Sequence, residues 1–131
     1  MPKTEADILA MIADKAATGH AFLVAEEAGR LIGQASYGQF RGGAGYRTCM
    51  EHSISLVPGT PRKGTGRALL TAIEDHARTR GAHQMIAGVS GENADGQAFH
   101  ARMGYRVIAT VPEAGHKFGR FLDLVLMQKF L

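Results

Sequence analysis

The middle of the sequence joins a predicted strand to a predicted helix through a glycine-rich segment. Residues 48–57 have the pattern of a strand, and residues 64–81 place their apolar side chains on one helical face before ending at a glycine. Residues 84–89 form a second apolar strand. A strand, a helix and a strand in this order almost always form a right-handed crossover between parallel strands. The sequence therefore predicts a sheet that contains one such crossover.

Further elements lie on both sides of this crossover. Before it, the sequence predicts a helix over residues 4–19 and a hairpin of two strands over residues 21–25 and 31–40. After it, the sequence predicts a helix over residues 93–103, a strand over 105–111, a loop over 112–120 and a strand over 121–130. Three consecutive strands before the crossover helix favour a mixed α/β (α+β) sheet over a doubly wound parallel one. The length suits a single domain spanning residues 1–131.

The composition excludes several classes of protein. The net charge is +3 and the lysines and arginines are dispersed, so the sequence offers no basic patch for nucleic acid or a membrane surface. Cys49 is the one cysteine, which excludes an intrachain disulfide, and the histidines lack the spacing of metal ligands. The first residues are polar, unlike a signal peptide, and no apolar run is long enough to span a bilayer. We therefore expect a cytoplasmic protein without a metal, a nucleic-acid partner or a membrane anchor.

The glycine-rich segment is suited to binding a pyrophosphate group. It consists of Arg62, Lys63, Gly64, Thr65, Gly66 and Arg67. Its glycines let a ligand approach the backbone, and the first turn of the helix offers unpaired N–H groups at the positive end of the helix dipole. The cationic side chains add charge-assisted hydrogen bonds. A glycine-rich turn that merely starts a helix explains the segment equally well, and its spacing matches neither a Walker A loop nor a dinucleotide fingerprint.

A second informative segment covers residues 93–105. Taken alone, it is an N-capped helix that ends at Gly104. Together, in this order and spacing, the two segments resemble the GNAT superfamily of acetyltransferases. From about Phe22 onwards the chain is similar to the phosphinothricin and methionine sulfone or sulfoximine N-acetyltransferases. The segments that carry this likeness are residues 37–41, 50–54, 115–120 and 122–124.

The resemblance implies an acetyl-CoA cofactor, no metal and a small-molecule amine acceptor. The acceptor it implies is an amino acid or an analogue such as phosphinothricin or methionine sulfone, which attacks directly in a ternary complex. The implied cofactor contacts are the backbone of Ile54, Ser55 and Leu56 for the pantetheine arm, residues 62–67 for the pyrophosphate, and Asn93. The implied acceptor site contains Arg41, Gly42, Gly43, Glu51, His52 and Ser53. His100 stands where many superfamily members keep a tyrosine acid.

The sequence departs from the family pattern in three places. Pro61 replaces the usual Arg or Gln, with Arg62 beside it. Gly42 and Gly43 replace a bulkier pair, which predicts a looser acceptor loop. The family's first strand and first helix have no counterpart, so we expect a GNAT acyl-CoA N-acyltransferase fold that is N-terminally shortened. Two alternatives remain: an acetyltransferase for another amine, such as a peptide N-terminus or a polyamine, and a catalytically impaired CoA-binding module.

Glu51 is the leading catalytic residue on chemical grounds. An amine is protonated at neutral pH and must lose a proton before it attacks the thioester. In a strand, Glu51 shares a face with Ser53 and Ser55, and apolar neighbours would raise the pKa of its carboxyl and make it a better base. A solvated strand carboxylate is the alternative. An acid role for His100 toward the CoA thiolate competes with a packing role, and Arg41 as a clamp for the acceptor carboxylate competes with a loop arginine in solvent.

A homodimer is also expected. Without the family's first strand, residues 21–25 form a bare sheet edge, and such edges promote association. The resemblance adds that related acetyltransferases commonly pair through their C-terminal strands, here residues 121–130. The expected partner is therefore a second copy of this chain.

Overall fold

The computed structural model describes residues 21–59 and 64–131. The predicted helix over residues 4–19 and the predicted pyrophosphate ligands Arg62 and Lys63 lie outside the described residues. The described elements are β1 (Phe22–Glu27), β2 (Arg30–Gln39), a short 3₁₀ helix (Ala44–Tyr46), β3 (Cys49–Leu56), α1 (Thr65–Thr79), β4 (Gln84–Ser90), α2 (Ala94–Arg102), β5 (Arg106–Lys117) and β6 (Arg120–Phe130). In the described part of the chain the strands form a six-stranded sheet in the order β1-β2-β3-β4-β6-β5. This mixed sheet, with its two helices, confirms the predicted α/β (α+β) class.

The described residues divide into two compact units. The first contains residues 21–38, 52–59 and 64–81, and the second contains residues 39–51 and 82–131. The division falls within β3, between Glu51 and His52. The first unit contains α1, and the second contains α2.

β1 and β2 form the antiparallel hairpin that the sequence predicts. Their register pairs Glu27 with Arg30 across the turn. Ala28 and Gly29 both take a positive φ, 51° and 78°, as a two-residue hairpin turn of the I′ type requires. β1 is the first strand in the sheet order, so the edge predicted over residues 21–25 is present among the residues that the structure describes.

Helix α1 packs its apolar face into the core of the first unit. Its buried apolar residues are Leu69, Leu70, Ile73 and Ala77. Gly33 of β2 permits this close packing, because a Cβ atom there would lie 2.7 Å from Leu56 Cδ2 and 3.1 Å from Leu69 Cδ1. On the same face of β2, the buried Tyr37 hydroxyl is 2.7 Å from Nδ1 of His76 on α1. This face of β2 is therefore the one that α1 covers.

β4, β6 and β5 form an antiparallel sheet in the second unit, with β6 between the other two strands. The buried apolar residues of this unit include Met85, Ile86, Ala87, Val89, Tyr105, Val125 and Met127. Asn93 caps α2, and its Oδ1 accepts the N–H of Gly96 at 2.9 Å. The helix is followed by Gly104 at a φ of 97°. The helix predicted over residues 93–103 is confirmed.

β5 is longer than predicted. The sequence predicts a loop over residues 112–120, but β5 continues through Lys117 and turns into β6 at Phe118 and Gly119. Those two turn residues take positive φ values of 53° and 75°. The tight turn, rather than the proline before it, ends the strand. The predicted loop is wrong.

A bulge explains how a proline fits inside β5. The register with β6 shifts between Val111 and Gly115, and Glu113 within this bulge takes a φ of 55°. The Glu113 N–H donates to Asp123 Oδ1 of β6 at 3.0 Å. Because the bulge lies on a strand at the end of the sheet order, Pro112, which has no N–H to donate, is tolerated there.

Candidate active site

β3 divides its side chains between two faces. Met50 and His52 are buried, Glu51 is half-buried, and Ser53 and Ser55 are exposed. This is the alternation that the sequence predicts. His52, predicted as an acceptor-site residue together with Glu51 and Ser53, therefore presents its side chain to the opposite face. Its backbone alone could serve an acceptor bound on the Glu51 face.

The Glu51 carboxylate lies over the backbone of β4. A Cβ atom added at Gly88 would be 3.2 Å from Glu51 Oε2 and 3.3 Å from Leu124 Cδ1 of β6. Burial raises the pKa of the Glu51 carboxyl above its ordinary value of 4.5, because the carboxylate loses part of its hydration. Burial, and then the charge of Glu51, raise the pKa of the Cys49 thiol. Glu51 thus has the environment of a general base and Cys49 that of an unreactive thiol.

The described part of the glycine-rich segment forms the start of α1. Gly64 is the N-cap, in the left-handed conformation at a φ of 79°, and it makes no side-chain capping bond. The first helical hydrogen bond runs from the Ala68 N–H to the Gly64 carbonyl at 2.9 Å, so the N–H groups of Thr65, Gly66 and Arg67 precede it. The first turn carries no acidic side chain. This helix end can therefore offer backbone donors and the Arg67 side chain to an anion.

Ile54, Ser55 and Leu56 form the end of β3, in the first unit. Ile54 is half-buried, and the other two are exposed. Ser55 Oγ accepts a hydrogen bond from Nε2 of Gln34 on β2 at 3.2 Å. Gln34 is a neighbour that sequence reasoning missed. The alternation of polar and apolar residues in the predicted strand over residues 31–40 shows that Gln34 is polar. It does not show that the Gln34 side chain contacts Ser55 of β3.

The side chains of Asn93 and His100 both form hydrogen bonds with the backbone of Gly96 in α2. The Gly96 N–H donates to Asn93 Oδ1 at 2.9 Å, and the Gly96 carbonyl accepts from His100 Nδ1 at 2.8 Å. His100 is buried, and its ring packs edge-on with Phe99 and Tyr105 at centroid distances of 5.2 and 5.3 Å. Because a carbonyl can only accept, Nδ1 carries the proton of the neutral ring, and Nε2 can donate only from the imidazolium. These surroundings favour the packing role for His100, and its acid role stays a prediction.

The side chains of Gln39 and Tyr46 contact the predicted acceptor loop, residues 41–43. Gln39 Nε2 donates to the carbonyl oxygens of Arg41 and Gly43, each at 2.7 Å. The Arg41 guanidinium carbon lies 5.0 Å from the centre of the Tyr46 ring. Gly42 has open space where a Cβ atom would stand. The loop is thus more constrained than its glycines predict, through contacts of Gln39 and Tyr46 that the sequence alone did not reveal.

Over residues 21–59 and 64–131, no group of three or more His, Cys, Asp and Glu side chains is arranged to hold a metal ion. In the same two ranges, no helix combines the length and the apolar character that crossing a membrane requires.

A mixed sheet with a half-buried carboxylate on β3, followed by a helix with an open, glycine-capped N-terminus, fits the class of acyl-CoA-dependent acyltransferases. The sequence profile of the Acetyltransferase (GNAT) family matches residues 2–105. The chain belongs to the GNAT acetyltransferase family.

Several characterised relatives share much of the sequence. The L-methionine sulfoximine/L-methionine sulfone acetyltransferase of Salmonella typhimurium is 44% identical over 110 residues, which are 84% of this chain and 64% of that protein. The L-amino acid N-acyltransferase MnaT of Escherichia coli is 43% identical with the same coverage. The phosphinothricin N-acetyltransferase of Alcaligenes faecalis is 32% identical over 130 residues, which are 98% of this chain and 66% of that protein. The chain therefore spans less than two thirds of the length of the first two relatives.

Solved structures that are similar over the whole chain include two that contain acetyl-CoA. The yncA acetyltransferase of Salmonella typhimurium, solved with its cofactor acetyl-CoA, has a TM-score of 0.90 and 39% identity, and the match covers 100% of this chain and 76% of that one. A GNAT superfamily phosphinothricin acetyltransferase from Sinorhizobium meliloti, in complex with acetyl-CoA, has a TM-score of 0.89 and 33% identity, covering 100% and 71%. The GNAT fold predicted from the sequence is confirmed.

Proposed function

We propose that the protein transfers the acetyl group of acetyl-CoA to the primary amine of an amino acid or a close analogue. The relatives above are named for acylating L-amino acids, methionine sulfoximine or sulfone, and phosphinothricin. Each of these acceptors carries a primary amine close to a carboxylate. The observation that carries the proposal is the half-buried carboxylate of Glu51 on β3, whose pKa burial raises.

Glu51 is the proposed general base. The acceptor ammonium first loses a proton, and the freed nitrogen attacks the thioester carbonyl carbon. The C–S bond then breaks, the nitrogen loses its second proton to give the neutral amide, and the released CoA thiolate takes up a proton. A carboxyl with a raised pKa accepts a proton more readily than an exposed one, so Glu51 suits the first step, directly or through a water molecule.

The start of α1 is the proposed binding site for the pyrophosphate of acetyl-CoA. Gly64 keeps the backbone free of a side chain, and the N–H groups of Thr65, Gly66 and Arg67 precede the first helical bond. Arg62 and Lys63 come just before this helix in the sequence and add positive charge. Two similar structures were solved with acetyl-CoA, which supports acetyl-CoA as the ligand.

Arg41 is the proposed ligand of the acceptor carboxylate. Its planar guanidinium matches a carboxylate through two parallel hydrogen bonds. Packing against the Tyr46 ring and the hydrogen bond from Gln39 to the Arg41 carbonyl restrain the residue before a ligand arrives. Gly42, next to Arg41 in the same loop, is exposed and has open space where a Cβ atom would stand.

The test is a thiol-release assay with acetyl-CoA and a panel of amines. Methionine sulfone, methionine sulfoximine and phosphinothricin should release CoA, whereas a polyamine and a peptide N-terminus should not. If the peptide or the polyamine is acetylated and none of the amino-acid analogues is, the acceptor belongs to a different class from the one proposed. Binding of acetyl-CoA by calorimetry, without turnover of any amine, would instead identify a CoA-binding module.

We also propose that the protein is a cytoplasmic homodimer. β5 is exposed along both faces, with Val107 at 55% and Ile108 at 46% of full exposure, and Phe118 at the hairpin turn is 86% exposed. Apolar surface of this extent favours a protein partner. β6 has a hydrogen-bonded strand on each side, so the pairing predicted through residues 121–130 would have to use its faces or β5.

Sedimentation at micromolar concentration tests this assembly. The native protein should sediment as a dimer, and Ile108→Arg should shift it to a monomer, because a charge would be buried in the proposed interface. A monomeric native protein with full activity would contradict the proposal.

A further inference from the structure

Gly88 occupies a position where the backbone does not require glycine. It lies inside β4, and its φ is not among the positive values that favour glycine. Any residue could adopt this conformation. Glycine inside a strand is normally unfavourable, because it is flexible when unfolded and has no side chain to pack. The reason for a glycine at this position is therefore the space that it leaves.

The Glu51 carboxylate fills part of that space. A Cβ atom at Gly88 would lie 3.2 Å from Glu51 Oε2 and 3.3 Å from Leu124 Cδ1, both closer than ordinary van der Waals contact. Both atoms are the far ends of side chains, so an alanine would displace them rather than the backbone. Both side chains are half-buried, but only the carboxylate gains hydration when it moves toward solvent, whereas Leu124 would expose apolar surface. Glu51 is therefore the residue that would move.

We propose that Gly88 is a positioning residue for Glu51: the missing side chain reserves the place of the carboxylate over β4. The catalytic part of this inference rests on the proposed function, but the location of the carboxylate does not. The Glu51 carboxylate and the Leu124 side chain of β6 both border the position that a Cβ atom at Gly88 would take. The thiol of Cys49, on the same face of β3, is a titratable neighbour, because the charge of Glu51 contributes to raising its pKa.

The first experiment compares Gly88→Ala with the native protein. The ¹³C signal of the Glu51 carboxyl should titrate at a lower pKa in the variant, because the displaced carboxylate is better hydrated. The kcat should fall about tenfold, with the KM for acetyl-CoA unchanged, since a small misplacement of a reacting group costs rate rather than cofactor binding. The acid limb of the kcat/KM profile should move to lower pH by the same shift.

Gly115→Ala is the matched control. A Cβ atom at Gly115 would come no closer than 3.6 Å to a neighbouring atom, the Leu122 carbonyl oxygen, and its φ is also ordinary for a strand. This variant should keep the native kcat and the native Glu51 titration. A Gly88→Ala protein that also keeps both would overturn the proposal.

A double-mutant cycle separates this inference from the proposed function. In the Glu51→Gln background, Gly88→Ala should cause no further fall in kcat, because the base on which it acts is already gone. A further tenfold fall would show that Gly88 acts by another route and would overturn the positioning role. If Glu51→Gln alone keeps full activity while Gly88→Ala still shifts the Glu51 pKa, the base assignment fails and the location of the carboxylate stands.

Folding provides a last check. If Gly88→Ala does not fold, the added Glu51→Ala change should restore folding by removing the carboxylate that the new methyl group meets. A double variant that still does not fold, beside a folded Glu51→Ala protein, would show that the methyl group clashes elsewhere and would contradict the proposal.

Discussion

Replacing Glu51 by glutamine tests the proposed chemistry most directly. The amide keeps the size and shape of the side chain over Gly88, but it cannot accept the proton of the acceptor ammonium. General bases contribute about a hundredfold to ten-thousandfold to turnover. Glu51 is half-buried rather than enclosed, so water can take over part of its role, and we expect a loss near the lower limit. A hundredfold fall in kcat corresponds to about 2.7 kcal/mol in the activation barrier.

The pH dependence of the same variant makes the test specific. Burial raises the pKa of the Glu51 carboxyl above 4.5, so the native kcat/KM should fall as the pH drops through this raised pKa and the base becomes protonated. The Glu51→Gln protein should lack this limb. The assay is thiol release from acetyl-CoA with methionine sulfone as acceptor, and calorimetry should show an unchanged affinity for acetyl-CoA. A variant that keeps both the native kcat and the native acid limb would refute the assignment of Glu51 as the base.

Three further predictions follow from the structure. Gly66→Val should weaken acetyl-CoA binding about tenfold or more in a folded protein, because a side chain would block backbone donation to a charged phosphate; calorimetry with unchanged affinity would contradict the assigned pyrophosphate site. Folding raises the pKa of Glu51. The contribution of Glu51 to the free energy of unfolding is therefore fully present below its pKa in the unfolded chain, and it is lost as the pH rises through its pKa in the folded protein. Glu51→Gln should therefore melt at a higher temperature than the native protein at pH 7, with the difference vanishing near pH 4, and an equal difference at both pH values would count against a raised pKa. His100→Phe should cost about 0.5–1.5 kcal/mol in the free energy of unfolding, because the part-buried hydrogen bond from Nδ1 to the Gly96 carbonyl is lost, while kcat falls less than about tenfold; a hundredfold loss of kcat would support the acid role instead.

The sequence predicts most of the elements of this fold because local patterns place them. The helical spacing of apolar residues in α1, between glycines at both ends, gives that helix within a residue or two. The segment containing Pro112 shows where such reasoning fails. Proline and glycine close together are as typical of a bulged edge strand as of a loop, and the choice depends on the hydrogen bond that Asp123 of β6 accepts from Glu113.

Part of the candidate site can also be predicted from the sequence, because strand alternation is a local pattern. Strand alternation places Glu51 on a different face from His52, although the resemblance assigns both to the acceptor site. The environment of Glu51 depends on Gly88 and Leu124, which are distant in the sequence, and no local pattern indicates that they meet. Likewise, the hydrogen bond of His100 to its own helix can be seen only when the ring orientation is known.

The bulge in β5 limits how far another strand could add to this edge of the sheet. A long outer strand presents a row of backbone donors and acceptors on which further strands could add without limit. Pro112 lacks a donor, and the left-handed backbone of Glu113 breaks the row at the same point. An incoming strand would find an uninterrupted row only before Pro112 or only after Glu113, each shorter than β5 itself. The bulge thus shortens the template that this margin of the sheet could offer for amyloid growth.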